Sequence, residues 1–244
     1  MNGQYLRGII HCHSHFSHDS VTPIRSYIRA AHLHRLDFIV LTDHDTTAGS
    51  LELRRAAAEL MPQLCIPMAA EYSTDQGDVI VTFQSEEIRS RSYRDVVRAA
   101  REQSALILLP HPYVNHVEPQ RQAAECDLIE VFNCRAASCK NAQAAALASE
   151  LGCRTYVASD SHFGRSIANA ILEVEQRKDL QDSLRYGQIR WAKPRRTPKW
   201  ELEASQLVKA IRTHRPGLAA FRLASMMKET TRGCVSRLFP QEDD

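Results

Sequence analysis

The chain of 244 residues has no run approaching the ~20 consecutive apolar residues of a membrane span, no CxxC pair, no low-complexity tract and no internal repeat. The first absence excludes a helical membrane span, and the second argues against a zinc finger or dithiol redox frame. The seven cysteines, Cys12, Cys65, Cys126, Cys134, Cys139, Cys153 and Cys234, are odd in number and irregularly spaced. That pattern reads as free thiols in a reducing compartment rather than a disulfide framework. The opening stretch MNGQYLRGIIHCH lacks a basic segment followed by a full apolar one, and it lacks a cleavage site, so a cytoplasmic protein is expected. What remains is ordinary globular composition, 43% hydrophobic and 25% charged, which excludes disorder, collagen and a disulfide-knotted mini-protein.

The formal charge is +2, but it is unevenly spread: residues 188–244 hold 12 basic and 6 acidic side chains, against 19 and 23 in the rest. Before that point, short apolar runs alternate with helical patterns. Strands are expected over 8–11, 38–42, 65–69, 79–83, 105–109, 128–132 and 155–158, with a further edge over 170–174. Thr22 and Pro23 read as N-cap and first position of a helix, and Gly152 as the stop of an alanine-rich one. Strands separated by helices imply parallel pairing, and seven of them favour a closed or nearly closed barrel over an open doubly wound sheet. The stretch WAKPRRTPKW reads as a basic extended linker. The expected division is therefore a barrel over 1–187 and a basic, helical extension over 188–244.

Histidine placement carries the chemistry. Of 11 histidines, His11, His13, His15 and His18 follow the first strand within eight residues, and His44, His111 and His162 stand at later strand ends. Acids accompany them: Asp43 and Asp45 flank His44, Glu71 follows IPMAA, and Asp160 precedes His162. In a parallel barrel those ends share one rim, so separate sequence clusters become one spatial cluster. Mixed nitrogen and carboxylate donors suit zinc, manganese or iron better than calcium or magnesium. His15 and His18 read as rim residues, since one short segment does not place four histidines on one metal face. His32, His34, His116 and His214 read as ordinary surface or core histidines.

The segments HCHSHFSHDS, LTDHDT, AAEYS, LPHPY, IEVFNCR and ASDSH, in that order, resemble the successive motifs of the PHP (polymerase and histidinol phosphatase) superfamily of metal-dependent phosphoesterases over about residues 7–175. The resemblance implies a distorted (β/α)7 barrel, two or three divalent ions (manganese, zinc or iron) and phosphoester hydrolysis. Carried over by motif, it implies metal ligation by His11, His13, Asp19, His44, Glu71, His111, Asp160 and His162, with Asp43 orienting its neighbours. Many members carry a further histidine where this chain offers Asp78, which makes Asp78 a possible ligand at one metal position.

A phosphomonoester is anionic, so its hydrolysis needs both charge neutralisation and a nucleophile available at neutral pH. Two metals about 3.5–4 Å apart supply both, with a metal-bridging hydroxide as the expected nucleophile. A metal-bound water, or an uncoordinated neighbour such as His15 or His18, is the candidate to protonate the leaving alkoxide. Arg135 and Arg165, just past strand ends, are candidates for the phosphate oxygens. Asn133 and Glu130 are open between a substrate-facing and a structural role. The expected substrate is a small phosphomonoester or nucleotide. The alternatives are an exonuclease of short oligonucleotides, using Trp191 and Trp200 as a stacking platform, and a non-catalytic PHP module. In the tail, Leu207, Ile211, Leu218, Phe221, Met226 and Met227 interleave with basic residues. Packing onto the barrel is the commoner reading of such a pattern, and contact with an anionic membrane surface is the alternative.

Overall fold

The computed structural model describes residues 4–225. Nine strands form two sheets. One has the order β2 (Phe38–Val40), β1 (Tyr5–Ile10), β8 (Leu172–Glu175), β9 (Ile189–Trp191). The other runs β3 (Ala69–Thr74), β4 (Gly77–Thr82), β5 (Leu106–Leu109), β6 (Leu128–Asn133), β7 (Thr155–Ala158). The helices are α1 (Ile24–His34), α2 (Ala48–Leu60), α3 (Tyr93–Glu102), α4 (Pro119–Glu125), α5 (Ser138–Leu151), α6 (Leu180–Tyr186) and α7 (Lys199–Arg212), with a 3₁₀ turn over Gly164–Asn169.

The pairing departs from the all-parallel expectation. Strands β1–β2, β5–β6 and β6–β7 are parallel, whereas β3–β4, β4–β5, β1–β8 and β8–β9 are antiparallel. The reason at β3–β4 is local: only Asp75 and Gln76 separate the strands, which leaves room for a hairpin and none for a crossover helix. The third strand also begins later than expected. Pro67 interrupts 65–69 as a strand, Cys65 makes a single bridge to Phe38, and the ladder starts at Ala69, which puts Glu71 inside β3. Pro23 is the residue before α1 rather than its first helical position, with extended ψ 150. Gly152 caps α5 in the left-handed region, φ 64.

The two sheets do not close through a continuous ladder. Their seams are crossed by single residue pairs, Phe38 with Cys65 and His44 with Glu71 on one side, and Cys12 with Ser161 on the other. Their inner faces nevertheless share one core. Ile10, Phe38, Ala69, Ile80, Leu108, Leu128, Tyr156 and Leu172, one residue from each of β1 to β8, belong to a single buried cluster. The outer faces are covered separately, with α1 and α2 packing on the first sheet and α3 on the β3–β5 side.

Residues 188–212 are tied to this frame: β9 extends the first sheet, and α7 packs back with Glu201, Ser205 and Ala210 buried. Ile211, Leu218 and Phe221 are exposed. Met226, Met227 and Cys234 lie outside the described residues. The six described cysteines are free thiols. No helix among the described residues is long and apolar enough to cross a membrane.

Gly8 sets the closest approach in the first sheet, because a Cβ there would lie 2.6 Å from three atoms of the Phe38 ring. Phe38 is fully buried and has nowhere to retreat. Gly8→Ala should therefore lower the unfolding free energy by about 1–3 kcal/mol, read from thermal or denaturant unfolding.

Candidate metal centre

The histidines and acids expected as ligands stand at or near strand ends, and the backbone turns sharply there. His11, His111 and Asp160 all have positive φ (60, 28 and 47), directly after or close behind β1, β5 and β7. Non-glycine residues adopt this region only when their surroundings impose it, and it turns each side chain in toward the shared cluster at the strand ends.

Glu71 is the hub. Its Oε2 faces His11 Nε2 at 3.4 Å, His13 Nε2 at 3.3 Å and His44 Nδ1 at 3.3 Å, while Oε1 faces His111 Nε2 at 3.2 Å. Asp160 Oδ1 lies 3.3 Å from His13 Nε2 and 3.7 Å from His11 Nε2. Asp19 Oδ2 lies 3.1 Å from His162 Nε2 and 3.4 Å from His44 Nε2. Four sets of donors fall within 4.8 Å of one another: His13, His44, His162; His11, His13, Asp160; His11, Glu71, His111; and His18, Asp19, His44.

Whether these residues fit a metal is tested by their unpaired atoms. His11 Nε2, His13 Nε2, His44 Nδ1, His111 Nδ1, Glu71 Oε2 and Asp19 Oδ1 are buried without a hydrogen-bond partner. A buried polar atom without a partner is costly, and here most point at the same small volume. Electron-pair donors converging on one buried volume are the arrangement a divalent cation completes. The residues fit the ion.

The electrostatics agree. Burial pushes the Glu71 carboxyl up, but the facing His11 and His44 outweigh it and hold it well below the usual carboxylate range. Asp160 is likewise held low against its burial by His11 and Arg135, and Asp19 by His162 and His44. For His13, burial favours the neutral ring, but the facing Asp160 and Glu71 carboxylates favour the charged one and raise its pKa to about 9, and Glu71 raises His111 to about 9 in the same way. His162 is lowered to about 4 by burial and by Arg135, which leaves it neutral as a ligand. Burial and the charge of Glu71 raise Asp78, which lines the same cavity.

The cavity above the cluster is about 240 Å³ and is lined by Asp19, His44, Glu71, His111, Arg135 and Asp160 among others. Arg135 Nε lies 3.5 Å from Asp160 Oδ2, Nη2 donates to Ser205 Oγ at 2.8 Å, and Nη1 is buried without a partner. Arg165 does not join it. The 3₁₀ turn carries Arg165 outward, where it is mostly exposed, stacks 5.4 Å from the centre of the Trp200 ring and faces Glu201 at 3.5 Å. His15 is exposed and packs on Phe16, away from the cavity lining. His18 is half-buried and stacks on His44 at 4.9 Å, adjoining the cluster.

The model of the PHP domain matches residues 10–201. The chain belongs to the PHP domain family. An uncharacterised protein of Methanocaldococcus jannaschii is 28% identical over 119 residues, 47% of this chain and 68% of the relative. Among solved structures, a two-domain Bacteroides vulgatus protein containing a predicted PHP-like metal-dependent phosphoesterase superposes with TM-score 0.65 at 18% identity, over 79% of this chain and 66% of that one. This chain therefore spans just under two thirds of that protein's length. PsfC of Pseudomonas syringae superposes with TM-score 0.61 at 15% identity, over 86% of this chain and 99% of that one. These likenesses establish a shared fold.

In this PHP domain two carboxylates hold the ligands in place. Asp43 is fully buried and contacts no ligand ring directly. Its Oδ1 accepts from Ser14 N at 2.6 Å and from Ser17 Oγ at 2.7 Å, and Ser17 Oγ lies 3.1 Å from His13 Nδ1. Gly49 leaves the space it needs, since a Cβ at that position would lie 1.8 Å from Asp43 Oδ2. Glu130 settles to the orienting side of the two roles open for it. Its Oε1 is 3.0 Å from His11 Nδ1, and its Oε2 accepts from His111 N at 2.6 Å and Asn133 Nδ2 at 3.1 Å. Asn133 also donates to Asp160 Oδ2 at 3.1 Å. Ser17 had no distinguishing signal in the sequence, whereas Glu130 had one, an acid inside the otherwise apolar strand LIEVFN.

Two outcomes are expected. Glu130→Gln should keep the fold but weaken divalent-metal binding about 10- to 100-fold, measured by titration calorimetry with manganese or zinc. The apparent metal affinity of the wild type should rise between about pH 6.5 and 9, because His13 and His111 retain protons up to about pH 9 in the metal-free protein and must lose them to ligate. Calorimetry across that range in buffers of different ionisation enthalpy would record the released protons.

Proposed function

We propose that this chain is a metal-dependent hydrolase of a small phosphomonoester or nucleotide. The observation that carries the reading is the set of buried, unpaired histidine and carboxylate atoms around Glu71, with the unpaired Nη1 of Arg135 buried beside the same cavity. His11, His13, Asp160, Glu71, His111, Asp19, His44 and His162 are the residues that would hold the ions, with Asp78 next to them. Bound divalent ions, manganese, zinc or iron, would neutralise phosphoryl oxygens and lower the pKa of water at the site.

The chain's own residues then have separable tasks. Arg135 Nη1 donates to a phosphoryl oxygen, in a place where the guanidinium is largely shielded and the hydrogen bond correspondingly strong. Asp43, acting through Ser17, and Glu130 keep His13 and His11 in one tautomer and orientation. Of the two histidines considered for protonating the leaving oxygen, His18 stands against the cluster and His15 does not. The single-pair bridges at both seams support reading the two sheets as a distorted barrel of the (β/α)7 type with its ladder interrupted. An oligonucleotide substrate is the weaker reading, because neither Trp191 nor Trp200 lines the cavity.

The test is phosphate release by manganese-loaded protein across mononucleotides, nucleoside bisphosphates, sugar phosphates, histidinol phosphate and short oligonucleotides. Turnover confined to one phosphomonoester class and absent in His11→Ala/His13→Ala is expected. Arg135→Ala should lower kcat/KM about 10²-fold. Turnover of oligonucleotides alone would select the exonuclease reading, and no turnover with metal bound would select a binding module.

A further inference from the structure

Helix α7 lies outside the strands that lead into the donor cluster, yet it is fastened at three points, one on the 3₁₀ turn after β7 and two on the site itself. Near its start, Glu201 is almost fully buried, accepts the Ser166 hydroxyl and faces Arg165. At its middle, Ser205 is fully buried; its hydroxyl donates to the Leu202 carbonyl at 2.9 Å, which leaves its oxygen free to accept Arg135 Nη2 at 2.8 Å. At its end, Arg212 Nη1 donates to the carbonyls of Ser17 at 2.6 Å, Ser20 at 2.9 Å and His15 at 3.3 Å. Those carbonyls belong to the loop that supplies His13, Asp19 and the Ser17 hydroxyl.

Two consequences reach the cavity. The Arg135 guanidinium is fixed on two edges, by Asp160 and by Ser205, so its third edge has one direction left in which to donate. Leu202, one turn before Ser205, forms part of the cavity lining together with Val114, Asn115 and Ala136. Arg135 is the one Lys or Arg in that lining among the described residues. A lone cation suits a single phosphoryl group, and a volume of about 240 Å³, below the ~300 Å³ at which drug-sized pockets begin, suits a compact leaving group.

We propose that α7 is part of the substrate site: Ser205 is a positioning residue that turns Arg135 toward the phosphoryl group, and Leu202 is a specificity-determining wall that restricts substrates to compact monophosphates. This rests on the phosphoesterase reading for its substrate, while the role of Ser205 is readable without turnover. Arg212 holds the helix to the first ligand loop, so the phosphate-binding arm and the metal ligands are carried by one connected unit.

The experiment uses the full chain loaded with manganese, with inorganic phosphate as the first probe in calorimetry. Ser205→Ala should bind phosphate about tenfold more weakly with its manganese affinity kept, and Ser205→Thr, which retains the hydroxyl, should restore most of the loss. In turnover, Ser205→Ala should raise KM with little change in kcat. Leu202→Ala should shift kcat/KM toward bulkier monophosphates and Leu202→Trp toward the smallest. Wild-type phosphate affinity in Ser205→Ala, no phosphate binding by the wild type, or an unchanged size preference in both Leu202 variants would overturn the proposal. Phosphate binding that weakens in Ser205→Ala while no phosphoester is turned over would instead overturn the phosphoesterase reading and leave the anion-positioning role standing.

Discussion

A single buried carboxylate, that of Glu71, with four imidazole rings directed at its two oxygens, is the arrangement around which the rest of the molecule is organised. Burying an anion at the mouth of a core would be prohibitive alone. It is tolerable here because neighbouring strands deliver compensating imidazoles: β1 leads into His11 and His13, β2 into His44 and β5 into His111. The facing histidines hold the Glu71 and Asp160 carboxyls in their charged form, and a divalent cation bound among these donors would supply that balancing charge instead.

The constraint reaches the backbone. Parallel strands end at the rim, and a continuing extended chain would carry its side chains past the centre. The left-handed turns at His11, His111 and Asp160 redirect them inward. Such turns have an energetic cost, and they persist because hydrogen bonds hold them from the side, as Glu130 does at His111 N and His11 O does for Asp160 N at 2.9 Å. The same logic explains the second ring of residues. Asp43 and Glu130 touch no cation site themselves, but without them the imidazoles they orient would be free to rotate about χ angles.

The clustering of these histidines and acids was legible in the sequence because their recurrence after apolar runs is rare by chance, and their order matched one superfamily. Direction was less legible. Apolar runs mark strands without stating which way they pair, so the β3–β4 hairpin was hidden in the gap between the strands expected over 65–69 and 79–83. The start of β3 was displaced because IPMAA is apolar throughout, and Pro67 inside it was outweighed by composition. Arg135 and Arg165 looked equivalent, each just past a strand end. Only the fold separates them, since the chain after β6 turns over the cavity while that after β7 coils outward as a 3₁₀ turn. The role of α7 was invisible for a different reason: Ser205, Leu202 and Arg212 are unremarkable residues in an amphipathic helix, and their meaning comes from groups some 70 to 195 positions away.

The seams between the two sheets bear on all of this. Each is crossed by isolated pairs, and two of those pairs, His44 with Glu71 and Cys12 with Ser161, consist of ligand residues or their immediate chain neighbours. The join between the halves of the molecule and the donor cluster are thus one piece of architecture. A cation held there would act as a rivet, drawing β1 and β2 against β7 and β3 across seams that only a few backbone hydrogen bonds close, and any parting of the seams would separate the donors before it disturbed either sheet.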